Sequence, residues 1–80
     1  MPVVFRYKSH RFFFYSNEGD PREPLHVHVR SASGDAKFWL VPIVQLASSS
    51  GYDPRTLREL TQVVSQTAEL IERTWNEYFA

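Results

Sequence analysis

Alternating apolar and polar positions in the first half of the chain predict a β-sheet. In residues 25–30, aliphatic side chains alternate with His26, His28 and Arg30, which is the two-residue period of a half-buried strand. The same reasoning predicts strands over residues 3–7, 11–16, 25–30 and 36–40. Residues 43–47 are predicted as either a short edge strand or a helical turn, and residues 48–51 as a loop.

Apolar residues spaced three or four apart after residue 53 predict a C-terminal helix. Asp53 suits the N-cap and Pro54 suits the first helical position. One unbroken helix over residues 54–80 would be about 40 Å long. A helix of this length would extend beyond the rest of a domain of 80 residues. Such an extension would favour a dimer. A break near residues 65–67 is the alternative, because Ser and Thr weaken a helix interior.

The elements together predict one α+β domain over residues 1–80. We expect a small antiparallel sheet of three to five strands with the long amphipathic helix packed on one face. The predicted core combines the aliphatic and aromatic positions of the sheet with the helix stripe. Its members are Leu25, Val27, Val29, Phe38, Leu40, Leu60, Val64, Ile71 and Trp75.

Composition narrows the class of protein. Nine Lys and Arg balance nine Asp and Glu, which argues against a basic nucleic-acid module and against a polybasic membrane binder. No apolar run approaches the roughly 20 residues of a membrane helix, and the N-terminus lacks the apolar region of a signal peptide. The chain has no cysteine, which excludes disulfides, thiolate zinc sites and cysteine nucleophiles. A bacterial cytoplasm is the simplest predicted location.

The face of the predicted sheet opposite the helix carries more aromatic side chains than a solvent-exposed face usually does. An exposed apolar patch of this kind usually marks an interaction site. A second copy of the chain, a different protein partner or a nucleic acid stacked on the rings could cover it. The predicted partner-binding residues are Phe13, Tyr15, His26, His28, Arg30, Lys37 and Trp39.

The two histidines of the third strand also suggest chemistry. Imidazole is a common ligand of divalent transition metals, and His10 would be the third histidine of a site with His26 and His28. Carboxylates of the adjoining loop are further candidate ligands, namely Glu18, Asp20 and Glu23. The simpler interpretation is that His26 and His28 lie on a solvent-exposed face of the sheet and have no chemical role. An enzymatic alternative uses one of them as a general base for RNA cleavage, with Arg30 or Lys37 stabilising the phosphate.

Five sequence blocks resemble a known bacterial family, domain of unknown function 4160. They are MPVVFRY, RFFFYSNEGD followed by REP, PLHVHVR, GDAKFWL and the closing WNEYF. The resemblance covers residues 2–79. Members of that family are often encoded beside another small family, domain of unknown function 2442. That arrangement implies a component of a toxin–antitoxin-like module.

The resemblance implies no catalytic residue, and the positions that it marks are His26, His28, Arg30, Lys37 and Trp39. With a neutral net charge and no glycine-rich phosphate loop, a non-enzymatic interaction module is favoured. We expect an antitoxin-like or regulatory protein that pairs with itself or with the small product of a neighbouring gene. A histidine-based metal protein or ribonuclease-like enzyme is the alternative.

Overall fold

A five-stranded antiparallel sheet forms the N-terminal part of the protein. The computed structural model describes residues 2–16 and 23–79. Each strand pairs with the next along the chain, so that the order in the sheet is the order in the sequence. The strands are β1 (Val3–Tyr7), β2 (His10–Phe13), β3 (His26–Ser31), β4 (Gly34–Trp39) and β5 (Gln45–Ser50).

The fifth strand differs most from its prediction. Residues 48–50 were expected in a loop, but they pair with β4, with Ser48 opposite Lys37 and Ser50 opposite Asp35. Serine has little preference for strands, and here the pairing partner overrides local propensity. The second strand is shorter than predicted, because it ends at Phe13 rather than at residue 16.

Two glycines fix the end of β5 against the start of β4. A Cβ added to Gly34 would overlap the carbonyl oxygen of Ser50, and one added to Gly51 would overlap that of Ser33. Gly51 also has φ of 90°, a conformation that glycine adopts without steric cost. The chain therefore leaves the sheet here by a close backbone crossing and enters the helical region.

The C-terminal region contains two helices, α1 (Pro54–Gln66) and α2 (Ala68–Tyr78). The single long helix of the predicted fold class is therefore wrong, and the break that the sequence offered as the alternative is present. Asp53 caps α1 as predicted, because its side chain accepts a hydrogen bond from the Thr56 amide at 2.7 Å. The break lies at Thr67, whose hydroxyl donates to the Val63 carbonyl at 2.7 Å.

Both helices pack on one face of the sheet, which we call the helix face. Leu60 of α1 and Ile71 and Trp75 of α2 are buried against Phe12 and Phe38. The predicted core is confirmed, and Leu25 lies partly buried at its margin. The α+β class is confirmed with it. Neither α1 nor α2, within the part of the chain described above, is long and apolar enough to cross a membrane.

Candidate functional site: the groove face of the sheet

The sheet face opposite the helices, which we call the groove face, presents its side chains in rows across the strands. Directly paired residues of antiparallel strands share a face. The middle row runs from Phe13 to His28, Lys37 and Ser48, across β2, β3, β4 and β5. This register brings residues that are 35 positions apart in sequence into one line across the sheet.

The other two rows flank this line. The first runs through Arg11, Arg30, Asp35 and Ser50. The second runs through His26, Trp39 and Gln45. Basic residues therefore lie on one side of His28, and the ring of Trp39 lies on the other.

A groove of about 180 Å³ opens over the middle row. Phe13 forms its floor and is only 1% exposed. Among the described lining residues, Arg30 and Lys37 carry positive charge and Asp35 carries negative charge. Tyr15, His28 and Ser48 are also part of the lining. The groove therefore combines an aromatic floor with two cationic side chains, one carboxylate and one imidazole.

Ring contacts position His28 in this groove. Its ring stacks on Phe13 with centres 5.6 Å apart and meets the edge of Tyr15 at 4.6 Å. The Tyr15 hydroxyl in turn accepts a long hydrogen bond of 3.4 Å from the Arg30 guanidinium. His28 is half-buried, so its ring is held by neighbours and still reaches the groove.

Lys37 reaches two partners on the groove face. Its ammonium lies 4.3 Å from the centre of the Trp39 ring, within the range of a cation–π contact. The same ammonium lies 3.8 Å from a carboxylate oxygen of Glu23. Both carboxylate and lysine side chains retain solvent exposure, so this ion pair is weak and can open for another anion.

His26 occupies a different environment from the one that alternation predicts. It was expected on a face away from the helices, but it is completely buried and its ring lies 5.1 Å from Trp75 of α2. Its Nδ1 donates a hydrogen bond of 2.8 Å to the Pro24 carbonyl. His26 is the first residue of β3, and at the end of a sheet a helix from the other face can reach round the strand. His26 is thus a packing residue and not part of an exposed binding surface.

His10 lies far from the other two histidines along the sheet. The pairing of Arg11 with Arg30 places His10 at the end of the sheet opposite to His26. There its Nδ1 lies 3.1 Å from the Tyr52 hydroxyl, which lies 2.9 Å from the hydroxyl of Ser31. The structure does not bring the three predicted metal ligands together.

No cluster of three or more His, Asp or Glu suited to a metal occurs within residues 2–16 and 23–79. Glu18 and Asp20, which were candidate ligands, lie outside the described residues.

Two residues of the groove and of the polar cavity near α1, Ser48 and Tyr52, are not predicted by the sequence. The sequence predicts a loop at Ser48, and only its pairing with Lys37 brings it to the groove. Tyr52 was not singled out, although it joins His10 and Ser31 beside a polar cavity of about 300 Å³ at the start of α1. Its position between a glycine and the helix N-cap was the available signal for an ordered side chain at that junction.

The comparisons with known proteins identify a family. The sequence model described as "Domain of unknown function (DUF4160)" matches residues 10–76. This span includes β2, β3, β4 and β5, all of α1 and most of α2, and with them every described residue of the groove. No curated protein and no solved structure matches the chain.

Proposed function

We propose, for a chain that belongs to the domain of unknown function 4160 family, that it is a cytoplasmic protein-interaction module. The protein acts as an antitoxin-like or regulatory partner of a second protein. Its groove face holds an acidic segment of that second protein. One observation supports this above all others. The row of Phe13, His28, Lys37 and Ser48 forms a groove. Its lining carries two cationic side chains, Arg30 and Lys37, against one acidic side chain, Asp35.

The side chains of the groove match the chemistry of protein interfaces. Arg, Tyr and Trp are enriched in interfaces and among the few residues that carry most of the binding energy. Here Arg30 and Lys37 can pair with carboxylates, while Tyr15 and Trp39 offer half-buried rings for apolar contact. A partner segment that alternates acidic and apolar residues fits both properties. Such a segment would displace Glu23 from its loose pairing with Lys37.

Reversal of charge in the groove tests this proposal. We would tag the protein in its native cell and capture partners with the parent, Arg30→Glu and Lys37→Glu, quantifying them by mass spectrometry. Arg73→Glu is the matched control, because Arg73 is exposed on α2. We expect one protein to be enriched with the parent and with the Arg73 variant but lost from both groove variants. Circular dichroism should show that all four proteins are folded.

Equal enrichment with all four proteins would reject the groove as the binding surface. The small product of the neighbouring gene is the first candidate for the captured protein. Its purified form should then bind the parent directly, with an affinity that falls as the salt concentration rises, because charge attraction between exposed groups is screened.

A second candidate function rests on the placement of His28 between Arg30 and Lys37 in one groove. In a ribonuclease-like reaction, His28 would accept the 2′-hydroxyl proton as the 2′-oxygen forms a bond to phosphorus, while the two cations hold the phosphate. The bond from phosphorus to the 5′-oxygen would break, and solvent water would protonate that oxygen as it leaves. Cleavage of a single-stranded RNA by the parent and not by His28→Ala would favour this function. If His28→Ala instead weakens partner capture and neither protein cleaves RNA, the interaction module is favoured.

A further inference from the structure

The β5 strand differs from the rest of the sheet in its exposure. All six residues of Gln45–Ser50 are exposed, and β5 forms one edge of the sheet. Of the strands in the described part of the chain, it pairs only with β4. Its sequence, QLASSS, contains no charge and no proline. Edge strands usually carry such residues, because the unpaired backbone groups of an edge otherwise recruit another strand.

The two edges of the sheet differ in charge and in cover. Both have an irregular register, between Val3 and Phe5 in β1 and between Lys37 and Phe38 where β4 pairs with β5, so this feature does not distinguish them. However, β1 carries an exposed charge, Arg6, and α2 packs beside β1, and both features protect an edge from further pairing. Of the two edges, β5 is therefore the one open to another strand.

Exposed apolar side chains collect beside the same edge. Ile43 is 66% exposed, and Val41 and Leu46 are 45% and 37% exposed. All three lie within the ten residues that lead from β4 through β5. Val3 of β1 is also exposed, at 41%, but β5 and the segment before it carry three such side chains, which are suited to contact with another chain.

We propose that two copies of this chain pair through β5, antiparallel and around a two-fold axis perpendicular to the sheet. An uncharged strand suits its own copy, because self-pairing places no like charges opposite each other. The result is a continuous ten-stranded sheet with the helices of both copies on one face. Both groove faces then lie side by side on the other face, and the two Ser48 residues lie near the axis. This pairing does not depend on the partner proposed for the groove.

A charge-complementation experiment tests the pairing. Ser49 is exposed on β5 and lies opposite Ala36, outside the residues that line the groove. We expect the parent to sediment at about twice the monomer mass of 9.4 kDa at micromolar concentration. Ser49→Lys alone and Ser49→Glu alone should each dimerise about tenfold more weakly or worse, because the two like charges lie diagonally across the axis, within reach of each other on the same face. An equimolar mixture of the two variants should recover the dimer.

Gln62→Lys is the matched control, since Gln62 is exposed on α1, and it should dimerise like the parent. A parent that stays at the monomer mass throughout the micromolar range would overturn the proposal. So would a dimer that both Ser49 variants leave unchanged, because another surface would then hold the two copies together. Failure of the mixture to recover the dimer would also count against β5.

Discussion

His26 and His28 lie two residues apart on β3, on the same side by alternation, and their ring centres are 5.1 Å apart, yet they lie in two adjoining regions that differ in burial. His26 lies at the end of the sheet, buried with Trp39 and Trp75. His28 lies in the groove and is half-buried between Phe13 and Tyr15. Alternation assigns a side chain to a face of the sheet. The distance from the end of the strand decides whether an element of the other face can reach it.

The two regions also differ in what their side chains contribute. Around His26 the rings of His and Trp remove one another from water and join β3 and β4 to α2, which stabilises the fold. Around His28 the charged groups keep contact with solvent and with weak partners such as Glu23. The first region is thus part of the core, while the second retains groups that can bind another molecule. Substitutions can test this division.

The largest expected effect is on the helix face. Leu60→Ala removes a fully buried side chain and should lower the free energy of unfolding by about 2–5 kcal/mol, as core cavities do. Leu70→Ala is the matched control, because Leu70 is exposed on α2, and it should change stability much less. Urea denaturation followed by circular dichroism measures both. Equal losses in the two variants would mean that α1 does not pack on the sheet as described.

The next largest expected effect is a difference in stability between the alanine variants of His26 and His28. His26→Ala leaves a cavity and removes the donor to the Pro24 carbonyl, and should cost about 1–3 kcal/mol. His28→Ala should stay within about 1 kcal/mol, because its ring is only half-buried. Urea unfolding of both variants gives the comparison. If the costs are equal, or if His28→Ala is the more harmful, the division between the packed end and the groove fails.

Acid should weaken the start of α1 and its contact with Tyr7 and Lys8. The Thr56 amide lowers the pKa of Asp53, and hydrogen bonds from Lys8 and Tyr7 lower that of Glu59. A lowered folded pKa adds stability above the unfolded pKa, which is about 4 for carboxyls. This stability is lost as the pH falls through the folded pKa.

The double variant Asp53→Asn/Glu59→Gln should therefore be less stable than the parent at pH 6, and the difference should shrink towards pH 2.5. Thermal unfolding across this range provides the measurement, with Glu72→Gln on the exposed side of α2 as a control. A stability difference that is constant with pH would show that these carboxylates do not act through their charge.

The smallest expected effect is that of a metal ion. His26 is buried with its Nδ1 engaged, and His10 lies at the other end of the sheet. We therefore expect Zn²⁺ at micromolar concentration to leave the Tm unchanged at pH 7.5. A ligand that binds only the folded state would raise it by mass action. A rise at pH 7.5 that disappears at pH 5.5 and in His28→Ala would establish a metal site that includes the groove histidine.

Several elements could be predicted from the sequence because their signals are local. Asp53 and Pro54 define the start of α1 through capping and a fixed φ. The alternation in β3 and β4 assigns Val27 and Phe38 to the core and Arg30 and Lys37 to the opposite face. Most of the groove residues were therefore predicted, because side-chain direction in a strand follows from the two-residue period alone.

Other features depended on partners that are distant in the chain. The serines of β5 carry little strand signal, and only backbone pairing with β4 makes them a strand. The continuous apolar stripe of residues 57–79 predicted one helix, whereas the chain breaks at Thr67 and packs both halves on the sheet.

Local signals in the sequence were enough to predict the class of fold, the start of the helical region and the face to which most side chains belong, since each follows from a period or a cap of a few residues. The burial of His26 and the accessibility of His28 depend on how α2 packs against the sheet. The separation of His10 from both, and the position of β5 as an uncharged edge, depend on how the strands pair. Burial and proximity are properties of packed elements, and sequence spacing does not report the distance between residues brought together by folding.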